Sequence, residues 1–214
     1  MKPLDWYFDF VSPYAYLQST VLPRIGAKAE VRRRPILFAG LLTHWGHLGP
    51  AEIPPKRDWT FVHCTWLAKR HGIPLAMPTM HPFNSLPLLR LSTALGNAPA
   101  VVDRLFAFVW RDGHVPTDAA PWAALLRELD VDEAALQSPD VKEALRAAGR
   151  DALDAGVFGV PSSVVDGRVF WGFEATDLLL ASLDDATLFD DPAMQAALRM
   201  PTGPMRPQLA KAAA

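Results

Sequence analysis

Ser12 lies at the junction of two sequence patterns, and its hydroxyl is the first candidate for chemistry in the chain. The apolar, aromatic run from Trp6 to Val11 predicts a buried strand, and the stretch SPYAYL that follows predicts a helix. A serine there is a natural helix N-cap, with Pro13 at the first helical position. A hydroxyl at a helix start can also donate a hydrogen bond to a sulfur anion. The local residues alone favour the cap.

A second candidate is the stretch Phe158-Gly159-Val160-Pro161-Ser162, where a proline immediately precedes a predicted strand. Proline is poorly tolerated on entering an interior strand unless the geometry is special, and a cis X–Pro bond is one such geometry. The alternative is a trans proline at the first strand position, because only about 5 to 6% of X–Pro bonds in folded proteins are cis.

The remaining chemical candidates are weaker. His44 and His47 have a spacing compatible with metal binding, but no third ligand lies nearby in the sequence, so we predict no metal site. Cys64 falls in the middle of a predicted helix, which favours a buried, inert thiol. Trp45, Trp66 and Trp110 are candidates to line an aromatic substrate pocket, although core packing is their ordinary role.

Strand patterns at the two ends of the chain flank a helical middle. A strand over residues 5–11, a helix over Tyr14 to Leu22 and a strand over Glu30 to Pro35 come first. Helices are then predicted over Pro55 to His71, Asn84 to Leu95, Ala98 to Trp110, Pro121 to Leu129 and Pro139 to Ala155, with Val62, Trp66 and Leu67 on one apolar face of the first of them. Strands Ser162 to Val165 and Arg168 to Trp171 flank the turn pair Asp166-Gly167, and a helix over Ala175 to Leu183 follows.

This order predicts an α/β fold. The first strand-helix-strand unit implies two parallel strands, and the late hairpin completes a four-stranded mixed sheet. We therefore expect a discontinuous sheet domain of residues 1–36 and 156–190 and an all-helical insertion of residues 37–155 packed over the sheet. A cleft is expected between the insertion and the loops that carry Ser12 and Val160. Residues 191–214 are expected to form a partly disordered tail.

Composition restricts the function classes. The chain has 214 residues, half of them hydrophobic, and a formal net charge of −2, which gives no electrostatic basis for binding nucleic acid or an anionic membrane. A single cysteine excludes an internal disulfide and favours the cytoplasm. The longest apolar runs fall short of a membrane span. For the assembly we expect a homodimer.

The motifs SPYAYL and GVPSSVVDGRVFWG, placed on either side of a helical segment, resemble those of the 2-hydroxychromene-2-carboxylate isomerases and kappa-class glutathione transferases. The resemblance covers roughly residues 4–183 and implies a DsbA-like branch of the thioredoxin fold. Redox members of that fold carry Cys-x-x-Cys at the first strand-to-helix junction, where this chain has Ser12-Pro13-Tyr14-Ala15. Dithiol exchange is therefore impossible at this position, and the resemblance implies that glutathione supplies the thiol.

The resemblance also implies the residues that hold glutathione. Ser12 would be the catalytic residue that stabilises the thiolate, and the backbone of Val160, before a cis Pro161, would pair with the cysteinyl part. Lys56, in the segment IPPKRDW, would meet a carboxylate of glutathione. Phe173 and Glu174 would lie at the γ-glutamyl end, where Glu174 would take the α-amino group. An arginine that the family commonly carries next is replaced here by Ala175.

Three further residues are implied as substrate contacts. Tyr14 belongs to the SPYAYL motif, and Asn84, in HPFNSL, matches an asparagine of a similar family segment, although it could equally be the N-cap of the next helix. His47 stands near a position where the family frequently has an asparagine. The departures at Ala175 and His47 place the contacts to cofactor and substrate in question.

The resemblance implies reversible isomerisation of 2-hydroxychromene-2-carboxylate to its ring-opened benzylidenepyruvate isomer, with glutathione as cofactor and a small aromatic compound as substrate. Two alternatives remain open at this stage. One is a glutathione transferase or peroxidase that consumes glutathione at the same site. The other is a thioredoxin-fold binding protein without catalysis, which the departures at Ala175 and His47 favour.

Overall fold

A four-stranded mixed sheet lies at the centre of the fold. The computed structural model describes residues 1–204. The strands are β1 (Lys2–Phe8), β2 (Ala29–Pro35), β3 (Ser162–Val165) and β4 (Arg168–Trp171), in the order β2-β1-β3-β4. β1 runs parallel to β2 and antiparallel to β3, and β3 and β4 form an antiparallel hairpin. The prediction of a mixed four-stranded sheet is confirmed.

The first strand begins and ends earlier than the aromatic pattern predicts. β1 covers Lys2–Phe8 instead of residues 5–11, and it pairs along its whole length with β2, from Lys2 opposite Ala29 to Phe8 opposite Pro35. After Phe8 the chain turns, and the amide of Ser12 donates to the carbonyl of Asp9 at 3.1 Å. Pairing with β2 determines these bounds, and this pairing cannot be inferred from the alternation of side chains within β1.

The hairpin has the predicted bounds because its turn residues specify it. Asp166 and Gly167 have φ values of 49° and 72°. A two-residue turn with both central residues in the left-handed region matches the twist of the flanking strands, and Asp-Gly is a preferred pair for it.

Helices lie between β1 and β2, between β2 and β3, and after β4. Their bounds are α1 (Pro13–Ser19), α2 (Leu22–Gly26), α3 (Phe38–Trp45), α4 (Pro54–His71), α5 (Leu86–Ala94), α6 (Pro99–Trp110), α7 (Ala119–Glu128), α8 (Pro139–Asp154), α9 (Thr176–Asp184) and α10 (Pro192–Leu198). The predicted helices are present with small shifts at their ends, while α2, α3 and α10 are additional. α10 lies in the expected tail, and residues 205–214 of that tail fall outside the described residues. Within residues 1–204, no helix is both long and apolar enough to cross a membrane.

The helical segment shares its core with the sheet. Phe106 of α6 packs on Trp6, Phe8 and Phe10, with ring centroids 4.7–6.0 Å apart, and all four side chains are fully buried. Aromatic contacts of this kind account for much of the apolar area that folding removes from water. The division into a sheet domain and a helical insertion stays a prediction.

The predicted apolar face of α4 is wrong at two positions. Val62 and Trp66 are exposed, at 65% and 51%, whereas Cys64 and Leu67 are buried. The helix packs against α1 through this other face, so two large apolar side chains are left outside. Spacing alone cannot show which of two apolar stripes a helix buries.

Candidate functional site

A cleft of about 1150 Å³ opens where β1 and β2 end and β3 begins. Its position follows from the sheet, because the carboxyl ends of the parallel strands and the start of the antiparallel β3 lie at one edge. The loop after β1 brings Ser12 there, the chain after β2 brings α3, and the loop before β3 brings Val160. Of the sequence-predicted site residues, Ser12, Tyr14, His47, Lys56, Asn84, Val160 and Glu174 line this cleft.

Ser12 caps α1 and also faces the cleft. Its Oγ accepts a hydrogen bond from the amide of Ala15 at 3.2 Å, as expected of an N-cap, and Pro13 follows in the first turn. The hydroxyl donates to the carbonyl oxygen of Val160 across 3.4 Å. Hydroxyl-to-oxygen bonds usually span about 2.5–3.0 Å, so this bond is weak. The proton of Ser12 can therefore turn to an anion that enters the cleft.

The backbone of Val160 is free to pair with a ligand. Among the described residues its amide N–H has no hydrogen-bond acceptor, and its carbonyl oxygen takes only the long bond from Ser12. The Val160–Pro161 peptide bond, for which the sequence predicts the cis form, is cis, as is His81–Pro82. A free N–H and a weakly bonded C=O on one residue offer an extended peptide the pairing of an added strand.

Two predicted residues lie behind the cleft wall. Pro161 is buried, and the side chain of Phe173 is 7% exposed and packs edge-on against His71. Neither residue lines the cleft. Asn84 does line it, but Ser85 is the N-cap of α5, and Asn84 Oδ1 accepts from the amide of Leu86 at 3.1 Å.

Polar groups stand at separate parts of the rim. Lys56, in the first turn of α4, is exposed and forms no ion pair within residues 1–204. His47 is also exposed, and its Nδ1 lies 3.4 Å from the carbonyl of Leu48. Glu174, which follows β4, lies 3.8 Å from Nδ1 of His63. These groups can meet the charged ends of a ligand without the cost of burying a charge.

The aromatic lining differs from the prediction. Trp110 is fully buried in the core, and neither Trp45 nor Trp66 lines the cleft. Six phenylalanine and tryptophan residues line it instead: Phe38, Trp59, Phe61, Phe83, Phe158 and Trp171. Phe158 and Trp171 pack edge-to-face with centroids 5.2 Å apart, and both are substantially exposed. No direct signal for these positions exists in the sequence, because cleft-facing positions depend on how α3, α4, β4 and the loops before α5 and β3 pack.

Tyr14 reaches across the cleft to α4. Its hydroxyl lies 2.8 Å from Nδ1 of His63, and burial raises its pKa, so the phenol stays protonated at neutral pH. His63 was absent from the sequence-predicted site. A histidine on a helix carries no signal by itself, and only its contact with Tyr14 and Glu174 identifies it.

Cys64 is fully buried under Tyr14, as predicted for an inert thiol. Burial raises the pKa of the thiol to about 12, which removes almost all thiolate at neutral pH. We expect native protein to react with a thiol-alkylating reagent at least about a hundredfold more slowly than unfolded protein. Mass measurement of the alkylated fraction over time tests this, and equal rates would contradict the placement.

Asp9 lines the cleft and connects the turn after β1 with the start of α3. Its carboxylate accepts from the amide of Val11 at 3.1 Å and from the amide of Phe38 at 2.9 Å. The side chain is 1% exposed, and burial raises its pKa. Sequence reasoning missed this residue, because an aspartate within an aromatic run has no local signature of its tertiary donors.

His81 also contacts the segment before Ser12. Its Nε2 lies 2.9 Å from the carbonyl of Val11, and burial lowers its pKa, so the neutral ring donates this bond. The ring packs between Phe61 and Trp110. Together Asp9 and His81 fix both ends of the short turn from Asp9 to Val11 that presents Ser12.

Comparison with known proteins gives a consistent family. Residues 3–184 match the DSBA-like thioredoxin domain. A 2-hydroxychromene-2-carboxylate isomerase of Sphingobium xenophagum is 28% identical over 193 residues, which cover 86% of this chain and 99% of the relative. Glutathione S-transferase kappa 1 of Rattus norvegicus is 24% identical over 202 residues, 83% of this chain and 89% of the relative. A solved 2-hydroxychromene-2-carboxylate isomerase has a TM-score of 0.74 at 23% identity, covering 92% of this chain and 98% of that one.

Proposed function

The chain belongs to the DSBA-like thioredoxin domain family, and we propose that it is a glutathione-dependent isomerase of 2-hydroxychromene-2-carboxylate or a closely similar aromatic carboxylate. Isomerase relatives that align over nearly their whole length support an isomerase activity. The kappa-class relative supports the choice of glutathione. A homodimer in the cytoplasm is part of the same proposal.

One observation carries the proposal. The hydroxyl of Ser12 faces the cleft beside the backbone amide of Val160, which has no acceptor within residues 1–204, and the one bond that Ser12 donates within that range is long. A tripeptide thiol paired with the Val160 backbone would place its sulfur near this hydroxyl. The Ser12 proton would then leave the Val160 carbonyl and bind the thiolate. An ordinary thiol has a pKa of about 8.5, so stabilisation of the anion by about 1 to 2 kcal/mol raises its population severalfold at neutral pH.

The proposed reaction uses the bound thiolate as a reversible nucleophile. The thiolate adds to the carbon of the double bond next to the benzene ring, and the electron pair of that double bond shifts toward the hemiketal carbon. The ring C–O bond breaks with its electrons on the phenolic oxygen, which leaves an enol. The former double bond then rotates as a single bond, and the thiolate leaves as the new double bond forms. Glutathione is regenerated and no net oxidation occurs, which suits a strand-to-helix junction without cysteine.

The other residues of the cleft have separate proposed roles. Lys56 meets a carboxylate of glutathione at the rim of the cleft. Tyr14, His47 and Asn84 contact the substrate, whose aromatic ring packs on Phe158 and Trp171. Offset or edge contacts between aromatic rings are worth about 0.5 to 1.5 kcal/mol beyond area burial.

Product and thiol measured together test the proposed function. Purified protein is mixed with 2-hydroxychromene-2-carboxylate, with and without glutathione, while product absorbance and free thiol are followed. The proposal predicts conversion only with glutathione and a constant amount of free thiol. Loss of thiol in step with product would support the transferase or peroxidase alternative instead. Binding of glutathione without conversion of this substrate or its close analogues would support the binding protein.

Gly159→Ala is expected to weaken substrate binding with little effect on stability. A Cβ at this position would lie 2.5 Å from Nε1 of Trp171, so the indole must move. Trp171 is 55% exposed and can do so cheaply. We expect KM for the aromatic substrate to rise about three- to tenfold. Trp171→Ala should have a similar effect, and an unchanged KM in both variants would remove Trp171 from the substrate site.

A further inference from the structure

A compact polar cluster sits at the end of the cleft formed by α4 and the segment after β4. His63 is its centre: Nδ1 lies 2.8 Å from the hydroxyl of Tyr14 and 3.8 Å from Oε1 of Glu174. Tyr14, His63 and Glu174 all line the cleft. A group that can be cationic and a carboxylate therefore stand side by side, open to a ligand.

Aromatic side chains fix the imidazole of His63 in place. The ring stacks on Trp59 on one side and near Trp66 on the other, with interplanar angles of 13° and 14° and centroid distances of 5.6 and 6.1 Å. The two indoles therefore hold the plane of the imidazole in one orientation. Among the described residues, the hydrogen bonds of His63 involve only Nδ1, which leaves Nε2 for a ligand.

The charge pattern of this cluster matches the end of a free amino acid. Such an end carries an ammonium and a carboxylate on one carbon, so its two partners must be of opposite sign and close together. Glu174 supplies the anion, and His63 supplies the donor that Ala175 cannot. Tyr14 adds a protonated phenol, because burial raises its pKa.

We infer that His63 and Glu174 form a clamp for the amino-acid end of the thiol cofactor, with His63 on the α-carboxylate and Glu174 on the α-amino group. The inference rests on the proposed use of glutathione and assigns the selection of this thiol to His63 together with Glu174. The clamp restricts the cofactor to γ-glutamyl thiols that carry both charged groups. A thiol that lacks either group loses one charge-assisted bond.

Three thiols and three variants test the clamp. The thiols are glutathione, 4-aminobutyryl-cysteinylglycine, which lacks the α-carboxylate, and glutaryl-cysteinylglycine, which lacks the α-amino group. His63→Phe keeps a ring between the two indoles but removes both nitrogens, and Glu174→Gln removes the charge. His71→Phe is the matched control, because His71 lies on the same helix and outside the cleft lining. His63→Gln, which keeps a neutral donor, serves if the phenylalanine variant does not fold.

Dissociation constants from calorimetry give the result. Wild type and His71→Phe should bind glutathione about ten- to a hundredfold more tightly than either analogue. In His63→Phe the preference for glutathione over the 4-aminobutyryl analogue should fall to about onefold, while the preference over the glutaryl analogue remains. In Glu174→Gln the preference over the glutaryl analogue should fall, while the preference over the 4-aminobutyryl analogue remains. His63→Gln should lie between wild type and His63→Phe.

Several outcomes overturn the inference. Equal binding of all three thiols by wild type rejects the clamp, and so does an undiminished preference for glutathione over the 4-aminobutyryl analogue in His63→Phe or in His63→Gln. Each of these outcomes leaves the proposed function standing. Failure of wild type to bind any of the three rejects the use of glutathione and the clamp with it.

Discussion

Ser12→Ala is expected to lower turnover about ten- to a hundredfold while glutathione affinity at neutral pH falls by about fivefold or less. The hydroxyl acts on the sulfur, whose negative charge matters most in the reactive state, so its loss affects the transition state more than the bound tripeptide. The Val160 backbone, Lys56 and Glu174 would still hold the peptide. Steady-state kinetics and calorimetry on the same preparations measure both quantities.

Loss of the helix cap must be separated from loss of chemistry. Ser12→Ala also removes the acceptor for the amide of Ala15, which should cost about 1 kcal/mol of stability. Asp191→Ala is the matched control, because Asp191 accepts from two amides at the start of α10 and does not line the cleft. It should lose comparable stability and keep full turnover. Equal turnover of Ser12→Ala and wild type would reduce Ser12 to a cap.

Asp9→Ala is expected to cost about 2 to 4 kcal/mol of unfolding free energy. The substitution leaves the half-buried amides of Val11 and Phe38 without their acceptor. Both amides belong to segments that border the cleft, so turnover should fall as well. Denaturant unfolding of wild type and variant measures the difference. Asp184→Ala is the control: it removes an exposed ion pair with Lys28 and should cost about 1 kcal/mol or less of unfolding free energy.

The loss of unfolding free energy caused by Asp9→Ala should be larger at low pH than at neutral pH. Burial raises the pKa of Asp9 in the folded protein above its unfolded value of about 3.9. The stability that this group contributes is therefore fully present below that value and declines as the pH rises through the folded pKa. The variant lacks this decline, so the difference between the two proteins should be larger at pH 4 than at pH 7. A difference that grows with pH would contradict the raised pKa.

Short sequence patterns were sufficient to predict the bounds of an element where turn or cap residues determine them. The turn pair Asp166-Gly167 fixes the bounds of β3 and β4, and Ser12 with Pro13 marks the start of α1. α3 was missed because a short helix containing Gly40 shows little periodicity. It forms where Asp9 binds the amide of Phe38, a contact made across 29 residues of chain. Tertiary partners, which no local pattern records, determine such elements.

Some residues of the candidate site could be predicted from the sequence, and others could not. Motif residues such as Ser12 and Val160 could be identified from the sequence because they lie in SPYAYL and GVPSSVVDGRVFWG, which resemble the motifs of a known family. Their local patterns alone favoured a helix cap and a trans proline. Trp59 and His63 could not be identified, because α4 has apolar residues on two sides and packing against α1 decides which side stays open. Trp171 faces the cleft from a short strand whose outer face the sequence does not specify.

The ionisation of bound glutathione tests the central claim most directly. Thiolate absorbance of the complex is titrated against pH for wild type and for Ser12→Ala, with free glutathione as the reference. A charge-assisted hydrogen bond from Ser12 should lower the pKa of the bound thiol, and its removal should raise that pKa by about one to two units. The account predicts thiolate at neutral pH in the wild-type complex and much less in the variant. Identical titration curves for the two proteins would contradict it.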